Sequence, residues 1–270
     1  MSTFYICPTP IGNLEDISER VVKTLHAVDV IYCEDTRRAK KLMNHFSIST
    51  PLRSYFVGNE MDKVDEIENT LDEEKDIALI SDAGTPLISD PGSELIRYLV
   101  SRKFKIVSIP GPTSVITALT VSGFEISKFQ FLGFIPKAGK ERSEFLVTLF
   151  NSEIPTVCFT SPKRLIKDLD YFEKEGLDSE LVICRELTKK FETIYRGTAE
   201  SLKNQISENI KGEITIVVAP PQNKSNIDLD LDKAINILIE QKVPKRELAK
   251  ALSLVTDLSV NDLYERVKDL

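Results

Sequence analysis

Short apolar runs alternate with amphipathic stretches along most of this chain. Runs of four to seven mostly apolar residues predict strands at 4–7, 30–33, 77–81, 105–109, 129–134, 156–160, 180–184, 191–195 and 213–219. Helical spacing lies between them, at 18–28, 36–46, 60–74, 92–103, 113–122, 161–175 and 198–209. Several runs are continuous rather than alternating, which is typical of strands buried on both faces beneath crossover helices. The pattern therefore predicts an α/β fold.

Two changes of pattern divide the chain into three parts. Strand density rises after 122–129, and 220–230 has the Pro, Asn and Ser content of a linker. Beyond the linker only helical spacing remains. We therefore predict an N-terminal α/β domain over 1–122, a second α/β domain over 123–222, and a linker with a small helical module over 223–270.

Composition narrows the class of protein. The chain has 270 residues, of which 41% are hydrophobic, and no apolar run approaches the roughly 20 residues of a membrane span. The N-terminal segment lacks the basic region of a signal peptide, so we expect a cytoplasmic protein. A net charge of −7 argues against coating nucleic acid by bulk charge, although a local basic patch remains compatible with it.

Cysteine and histidine usage argues against two kinds of chemistry. All four cysteines lie in or at the end of apolar runs and none forms a C-x-x-C pair, which predicts buried reduced thiols and no metal site. The two histidines, His26 and His45, fall in helical patterns. Catalysis by a histidine pair or triad is therefore not expected.

Three loops rich in Pro, Gly, Ser and Thr follow predicted strands, at 7–16, 81–92 and 109–114. Neither G-x-G-x-x-G nor a P-loop motif is present, so the usual dinucleotide and nucleoside triphosphate signatures are missing. Ligands of α/β sheets bind beyond the carboxyl ends of strands, so these loops are predicted to line one cleft.

The loop SDAGTPLISDPG at 81–92 indicates the kind of ligand. Asp82 and Asp90 can accept hydrogen bonds, Gly84 permits close backbone approach, and Leu87 with Ile88 offers an apolar surface. No Lys or Arg lies in this loop to meet a phosphate. This chemistry favours a cationic, amphipathic ligand without phosphate. The alternative is a structural segment of two turns and a helix N-terminus.

Six motifs in order carry a resemblance to a known family. They are TPIGNLEDIS (9–18), EDTRRAKKLMNHFSI (34–48), SDAGTPLISDPG (81–92), PGPTS (110–114), FLGFIPK (131–137) and ELTKKFE (186–192). Together they resemble the ribosomal RNA small subunit methyltransferase I family of the tetrapyrrole methylase superfamily. The resemblance implies two α/β domains with S-adenosylmethionine in the cleft between them. It also implies 2′-O-methylation of a cytidine ribose in the decoding region of 16S ribosomal RNA, by a homodimer.

The chain departs from that family pattern in two places. Many relatives have a histidine-bearing segment at 54–60, and many have Glu-Ser-Pro-His-Arg where this chain has Thr-Ser-Pro-Lys-Arg at 160–164. Neither departure touches the loops expected to hold the cofactor. They imply that the side chains absent here are not essential catalytic bases.

The resemblance assigns cofactor contacts residue by residue, since methyl transfer depends mainly on positioning the two reactants. The expected contacts are Pro10, Asp82, Ala83, Gly84, Thr85, Leu87, Ile88, Thr113, Ser114, Phe159, Thr160 and Thr215. For Phe159 a plain core aromatic is the competing interpretation. No obligatory metal is expected.

Two carboxylates are candidate catalytic groups for the proton of the ribose hydroxyl. Glu34 and Asp35 follow a predicted strand on the cleft side. Asp35 or Thr36 could instead cap the helix that begins there. Asn13 and Glu15 in the first loop are comparable candidates.

Basic clusters are candidate RNA contacts, although charge runs are often only solvated surface. The clusters comprise Arg37, Arg38, Lys40 and Lys41; Lys137, Lys140 and Arg142; Lys163 and Arg164; Lys189 and Lys190. The segment 244–267 resembles a helix-turn-helix in spacing, which suggests either substrate positioning or dimerisation. Competing functions are a small-molecule methylase of the same superfamily and a non-catalytic RNA-binding assembly factor.

Overall fold

The computed structural model describes residues 2–177, 179–207, 209–221, 235, 243–253 and 260–268. The chain divides into two compact units, Met1–Gln222 and Asn223–Leu270. The described part of the first unit contains two five-stranded sheets, and that of the second contains helices. The predicted α/β class with a C-terminal helical part is confirmed.

The first sheet is parallel throughout. Its strands are β1 (Thr3–Ile6), β2 (Val30–Cys33), β3 (Leu52–Ser54), β4 (Ile77–Leu79) and β5 (Lys105–Ser108). They lie in the order β3-β2-β4-β1-β5, and every neighbouring pair is parallel. The loops after β1, β4 and β5 therefore leave the sheet at the same edge.

Helices cover both faces of this sheet. They are α1 (Glu19–Ala27), α2 (Thr36–His45), α3 (Glu60–Asp72) and α4 (Ser93–Ser101). Val21, Leu25 and Met43 join one buried cluster, while Ile67 and Leu95 join another on the opposite face. This two-sided burial explains why the strands are continuous apolar runs.

The second sheet is mixed. Its strands are β6 (Gln130–Phe134), β7 (Thr156–Thr160), β8 (Leu181–Arg185), β9 (Thr193–Gly197) and β10 (Ile214–Val218). They lie in the order β6-β7-β10-β8-β9, with β6 and β7 parallel and the remaining pairs antiparallel.

Helices cover both faces of the second sheet, and one of them connects this sheet to the first. Three helices pack on one face of the second sheet: α6 (Gly139–Phe150), α7 (Pro162–Lys174) and α8 (Ala199–Gln205). The other face is covered by α5 (Ser114–Ser122), which follows the last strand of the first sheet. Val115, Ala118 and Leu119 of α5 pack with Val182 and Val217 of the second sheet. The first sheet's loops are thereby held against the second sheet.

Two elements depart from the sequence prediction. The strand Leu52–Ser54 was not predicted, because three half-exposed residues are too short to show a period. The helix Gly139–Phe150 begins with the polar run GKERSE, and only Leu146 and Leu149 are buried, so its sequence looks like a loop after a strand. Packing of Leu146 and Leu149 in the core stabilises this helix, although its sequence shows no helical period.

The second unit has a core of its own. Its described helices are α9 (Lys245–Ser253) and α10 (Val260–Val267), which lie in the segment 244–267 predicted to be helical. Leu248, Leu252, Leu263 and Val267 are buried together. Of the helical spacing predicted beyond the linker, residues 231–234, 236–242 and 254–259 lie outside the described residues.

The cysteines and histidines are located as expected. All four cysteines are buried and free, and burial raises the pKa of Cys7 to about 12. His26 and His45 lie in α1 and α2. Within the part of the chain that the structure describes, no helix has the length and apolar character needed to cross a membrane.

Candidate functional site

Three loops meet at the carboxyl edge of the first sheet. The loops after β1 and β4 exchange two backbone hydrogen bonds, from Thr9 N to Gly84 O at 2.9 Å and from Gly84 N to Thr9 O at 3.0 Å. The hydroxyl of Thr85 donates to the carbonyl oxygen of Pro112, in the loop after β5, at 3.0 Å. The predicted convergence of these loops is confirmed, and hydrogen bonds hold them together.

A cavity of about 340 Å³ lies between these loops and the second sheet. We call it the first cavity. Its volume lies within the range of small-molecule sites, about 300–1,000 Å³. Ten of the residues expected to contact the cofactor line it: Asp82, Ala83, Gly84, Thr85, Ile88, Thr113, Ser114, Phe159, Thr160 and Thr215. The structure thus brings together residues that are 133 positions apart at the extremes, from Asp82 to Thr215.

The two remaining residues, Pro10 and Leu87, do not line the first cavity. Pro10 lines a neighbouring cavity instead. Leu87 has φ +75° and packs against the buried cluster of the first sheet that contains Ile67 and Leu95. The apolar surface predicted for Leu87 and Ile88 together is therefore supplied by Ile88 alone, because the backbone turns between them.

Glu34 and Asp35 have different surroundings. Glu34 lines the first cavity. Asp35 caps α2, because its Oδ1 accepts a hydrogen bond from the backbone N of Arg37 at 2.8 Å. The guanidinium of Arg37 also donates to Asp35, and these bonds hold the pKa of Asp35 well below its usual range. The capping interpretation therefore applies to Asp35, and Glu34 is left as the candidate proton acceptor.

Three carboxylates surround one side of the first cavity. Burial raises the pKa of Glu34, and the nearby Asp90 and Asp82 add to this effect while Arg38 opposes it. Burial likewise raises the pKa of Asp90 to about 6, with a further rise from Asp82 and a lowering by Ser81. Raised carboxyl pKa values in a cavity mark groups suited to proton transfer near neutral pH.

Arg38 is fixed beside this group. Its Nη1 donates to Oδ2 of Asp82 at 3.1 Å, and the backbone N of Asp35 donates to Oδ1 of the same side chain at 3.3 Å. Both carboxylate oxygens of Asp82 are therefore held by the start of α2. This anchors the first residues of the loop 81–92 to a second element.

Arg142 and Arg164 have partners inside the protein. Oδ1 of Asp168, whose side chain is 1% exposed, lies 2.9 Å from Arg142 Nη1 and 3.3 Å from Arg164 Nη2. Both arginines also donate to the carbonyl oxygen of Pro136, each at 2.9 Å. The predicted RNA contacts of these two residues are therefore revised to a structural role, because their cations neutralise a buried carboxylate.

The remaining basic residues are on the surface. Lys137, Lys140 and Lys163 are exposed, and Lys140 lies 3.4 Å from Glu144. Lys189 is held by Glu186 at 2.9 Å and by Glu213 at 3.0 Å. The exposed lysines stay candidates for RNA contact.

The first loop's polar candidates have structural partners. Oδ1 of Asn13 accepts from the backbone N of Glu15 at 3.1 Å and caps a short 3₁₀ turn, Leu14–Asp16. The backbone N of Asn13 donates to the Thr188 hydroxyl at 3.0 Å. Neither Asn13 nor Glu15 lines the first cavity.

Phe134 lines the first cavity, a role that the sequence does not predict for it. Asp90, predicted from the sequence only as a hydrogen-bond acceptor for the ligand, lines the cavity too. Phe134 is 59% exposed, and its ring lies edge-on to Phe159 with centroids 5.2 Å apart. The signal in the sequence is an aromatic at the end of a strand, directly before the turn-forming IPK. An exposed aromatic at a cavity mouth is suited to stacking against a planar ring.

The donor groups of the first cavity fit S-adenosylmethionine. Its four carboxylates, on Glu34, Asp82, Asp90 and Glu213, match a cation, and its two aromatic rings match a purine. The hydroxyls of Thr113 and Ser114 can bind polar groups. Among the described residues that line the cavity, Arg38 is the single basic side chain, and it is already paired with Asp82. A polyphosphate would lack cationic partners here.

Solved structures share the fold of the first unit. Diphthine synthase aligns with a TM-score of 0.65 and 14% identity, covering 81% of this chain and 90% of that one. A cobalamin biosynthetic enzyme, cobalt precorrin-4 methyltransferase, aligns with a TM-score of 0.62 and 20% identity, covering 81% and 94%. At these identities the likeness establishes the fold.

Relatives by sequence are much more similar. A ribosomal RNA small subunit methyltransferase I of Synechocystis sp. is 36% identical over 98% of this chain and 97% of its own length. The Vibrio cholerae protein of the same name is 38% identical over 97% of this chain and 92% of its own. One from Mycoplasmopsis pulmonis is 43% identical over 219 residues, which is 80% of this chain but 97% of that protein.

The model of the tetrapyrrole (corrin/porphyrin) methylases matches residues 3–203, which contain every strand of the two sheets except β10. The family match, the shared fold and the residues that line the first cavity are therefore consistent with one another. This chain belongs to the tetrapyrrole methylase family, among the proteins named ribosomal RNA small subunit methyltransferase I.

Proposed function

We propose that this protein methylates the ribose 2′-hydroxyl of a cytidine in the decoding region of 16S ribosomal RNA, with S-adenosylmethionine as methyl donor. The observation that carries the proposal is the match to relatives named ribosomal RNA small subunit methyltransferase I over 97–98% of this chain. The first cavity supports the choice of cofactor through its carboxylates and aromatic rings.

Most residues of the first cavity would bind S-adenosylmethionine, and two carboxylates would act on the ribose hydroxyl of the RNA. Bound S-adenosylmethionine supplies an electrophilic sulfonium methyl group. The loop residues Asp82 to Thr85 would hold the cofactor, with Thr113 and Ser114 at the start of α5. Phe159, Thr160 and Thr215 would form the wall on the second sheet. Fixing both reactants in line can supply about 7–11 kcal/mol of the barrier.

Glu34 and Asp90 would accept the proton of the ribose 2′-hydroxyl. Both line the first cavity, and both have raised pKa values because they are partly buried near other carboxylates. A carboxylate with a raised pKa is a stronger base, so it accepts the hydroxyl proton more readily as the oxygen becomes nucleophilic. Methylation should then decline in acid as these two groups protonate.

The family resemblance also supports a homodimer working in the cytoplasm, where small subunits are assembled. The oligomeric state can be measured by light scattering of the purified protein over a range of concentrations. A dimer is the expected result.

The experiment that tests the function uses small ribosomal subunits from cells lacking the corresponding gene. Purified protein and labelled S-adenosylmethionine should transfer label to 16S RNA, and mass spectrometry of the digested nucleosides should find it on a cytidine ribose. No label on RNA, together with transfer of label to a tetrapyrrole added in a parallel reaction, would support the small-molecule methylase. RNA binding without cofactor affinity would support the assembly factor.

A further inference from the structure

A second cavity, of about 380 Å³, adjoins the first. It lies between the first loop, the start of the loop 81–92, and α2. The two cavities share a wall made of Ile11, Arg38, Asp82, Ala83 and Glu213. A ligand in the second cavity would therefore sit directly beside the ligand of the first.

The lining of the second cavity is amphipathic. Pro10, Leu14 and Leu42 give it an apolar side, and the Leu14 side chain is partly exposed. Arg38, Lys41 and Lys189 place three cations around it. This differs from the first cavity, where the described lining residues include several carboxylates and a single basic side chain.

The three cations differ in their partners. Arg38 donates to Asp82, and Lys189 lies between Glu186 and Glu213. Lys41 is exposed, and no carboxylate among the described residues forms an ion pair with it. Its charge is therefore available to an anionic ligand.

A nucleotide matches this combination of an apolar wall and an unpaired cation. Its base offers a flat apolar face, and its phosphate carries the negative charge. We propose that the second cavity binds the target nucleotide of the RNA, with the base against Leu14 and Leu42 and a flanking phosphate at Lys41. The ribose would then lie at the shared wall, facing the first cavity. This inference rests on the proposed function, because it supplies the RNA subsite of that reaction.

The test compares two adjacent lysines of α2. Lys41 lines the second cavity, whereas Lys40 is also exposed on the same helix but lines neither cavity. Lys41→Gln and Lys40→Gln change the net charge identically. Lys41→Gln should raise KM for small subunits about tenfold and weaken binding of a labelled single-stranded RNA covering the target site. Its affinity for S-adenosylmethionine, measured by calorimetry, should not change.

Salt dependence adds a readout that general loss of structure would not produce. Loss of one phosphate contact should reduce the slope of log affinity against log salt by about 0.7 for single-stranded RNA. Lys40→Gln should keep the wild-type slope. Leu14→Ser should also weaken RNA binding but leave the slope unchanged, because it removes an apolar contact and no charge.

Two outcomes would overturn the inference, and they are distinguishable. If wild-type protein methylates small subunits and Lys41→Gln behaves like Lys40→Gln in KM and salt slope, the second cavity is not the RNA subsite. If wild-type protein binds S-adenosylmethionine but neither binds nor methylates RNA, the proposed function fails and the subsite with it.

Discussion

The hydroxyl of Thr160 donates a hydrogen bond to Oδ2 of Asp168 at 2.6 Å, which attaches the wall of the first cavity to a buried carboxylate. The other oxygen of Asp168 accepts from Arg142 and Arg164. Arg164 also donates to the carbonyl oxygens of Ile135 and Pro136. Asp168 thus connects α6 and α7 to the ends of β6 and β7, where Phe134 and Thr160 face the cavity.

Removing the carboxylate of Asp168 should strongly destabilise the protein. Asp168→Ala leaves two partly buried guanidinium groups without their counter-ion, which typically costs about 3–5 kcal/mol. Urea unfolding monitored by circular dichroism would measure the loss. Asp170→Ala is the matched control on the same helix, because Asp170 pairs with Lys203 near the surface, where solvent screens the pair, and should cause a much smaller loss. Similar losses in the two variants would contradict the structural role of Asp168.

Gly84→Val should weaken S-adenosylmethionine binding at least tenfold, or by about 1.4 kcal/mol. Gly84 has φ +83°, and a Cβ there would lie 3.3 Å from the Ile11 side chain. The strain and the contact would both displace the loop that lines the first cavity. Calorimetry of the folded variant measures the effect.

Gly123→Val is the control for that substitution. Gly123 has a similar φ of +80°, and a Cβ there would meet no atom within 4 Å. It ends α5 and does not line the first cavity. Both variants should lose about 1–2 kcal/mol of stability from the left-handed backbone, while only Gly84→Val loses cofactor affinity. Unchanged affinity in Gly84→Val would remove this loop from the cofactor site.

Asp90→Asn should stabilise the unliganded protein at neutral pH and reduce methylation. Burial raises the pKa of Asp90 to about 6 from its usual 3.8, so the folded state binds its proton more tightly than the unfolded state. The resulting stability is present below about pH 4 and is lost as pH rises through 6. The amide avoids that loss, and the gain above pH 6 should be on the order of 1 kcal/mol after discounting for partial solvent screening.

Thermal melting between pH 4 and pH 8 would check the sign. The difference between Asp90→Asn and wild type should grow as pH rises, because only the wild-type carboxylate becomes charged. Asp35→Asn is the control, since the hydrogen bonds from Arg37 lower the pKa of Asp35, so that its stabilising charge is complete above about pH 4 and is lost only as the pH falls further. Its difference from wild type should therefore stay nearly constant between pH 4 and pH 8. A constant difference for Asp90→Asn as well would show that Asp90 ionises normally.

Lys137→Gln combined with Lys163→Gln should weaken RNA binding most at low salt. Both lysines are exposed, unlike Arg142 and Arg164 of the same clusters. Loss of two phosphate contacts should reduce the single-strand salt slope by about 1.4. Lys103→Gln with Lys105→Gln is the control, because Lys105 begins β5 at the sheet edge opposite the loops. An identical slope in the two double variants would make the cluster ordinary solvated surface.

A chain ending at residue 222 should fold, bind S-adenosylmethionine, and keep methyl transfer while losing affinity for small subunits. The second unit has a separate core, and the match to the Mycoplasmopsis pulmonis protein covers only 219 residues, close to the length of the first unit. A raised KM with unchanged kcat would fit a substrate-orienting role for the helices. Failure to fold, or loss of the dimer, would instead assign them to the core or the interface.

Local pattern was enough to predict the fold class and most elements. Continuous apolar runs identify strands buried on both faces, and the Pro- and Gly-rich loops after them mark the ligand edge, because both signals depend on neighbouring residues. The same reasoning failed for Leu52–Ser54 and Gly139–Phe150, whose apolar positions are too few to show a period.

The roles of individual polar residues depended on partners distant in sequence. Arg142 and Lys137 belong to one basic run, yet Arg142 neutralises Asp168, 26 positions away, and Lys137 remains in solvent. Asp82 meets Arg38, 44 positions away. The sequence by itself determined the α/β class, the loops and the chemistry that those loops can offer. Only the tertiary structure decided which charges are neutralised internally and which face the two cavities, because helices packed on each sheet bring these partners together.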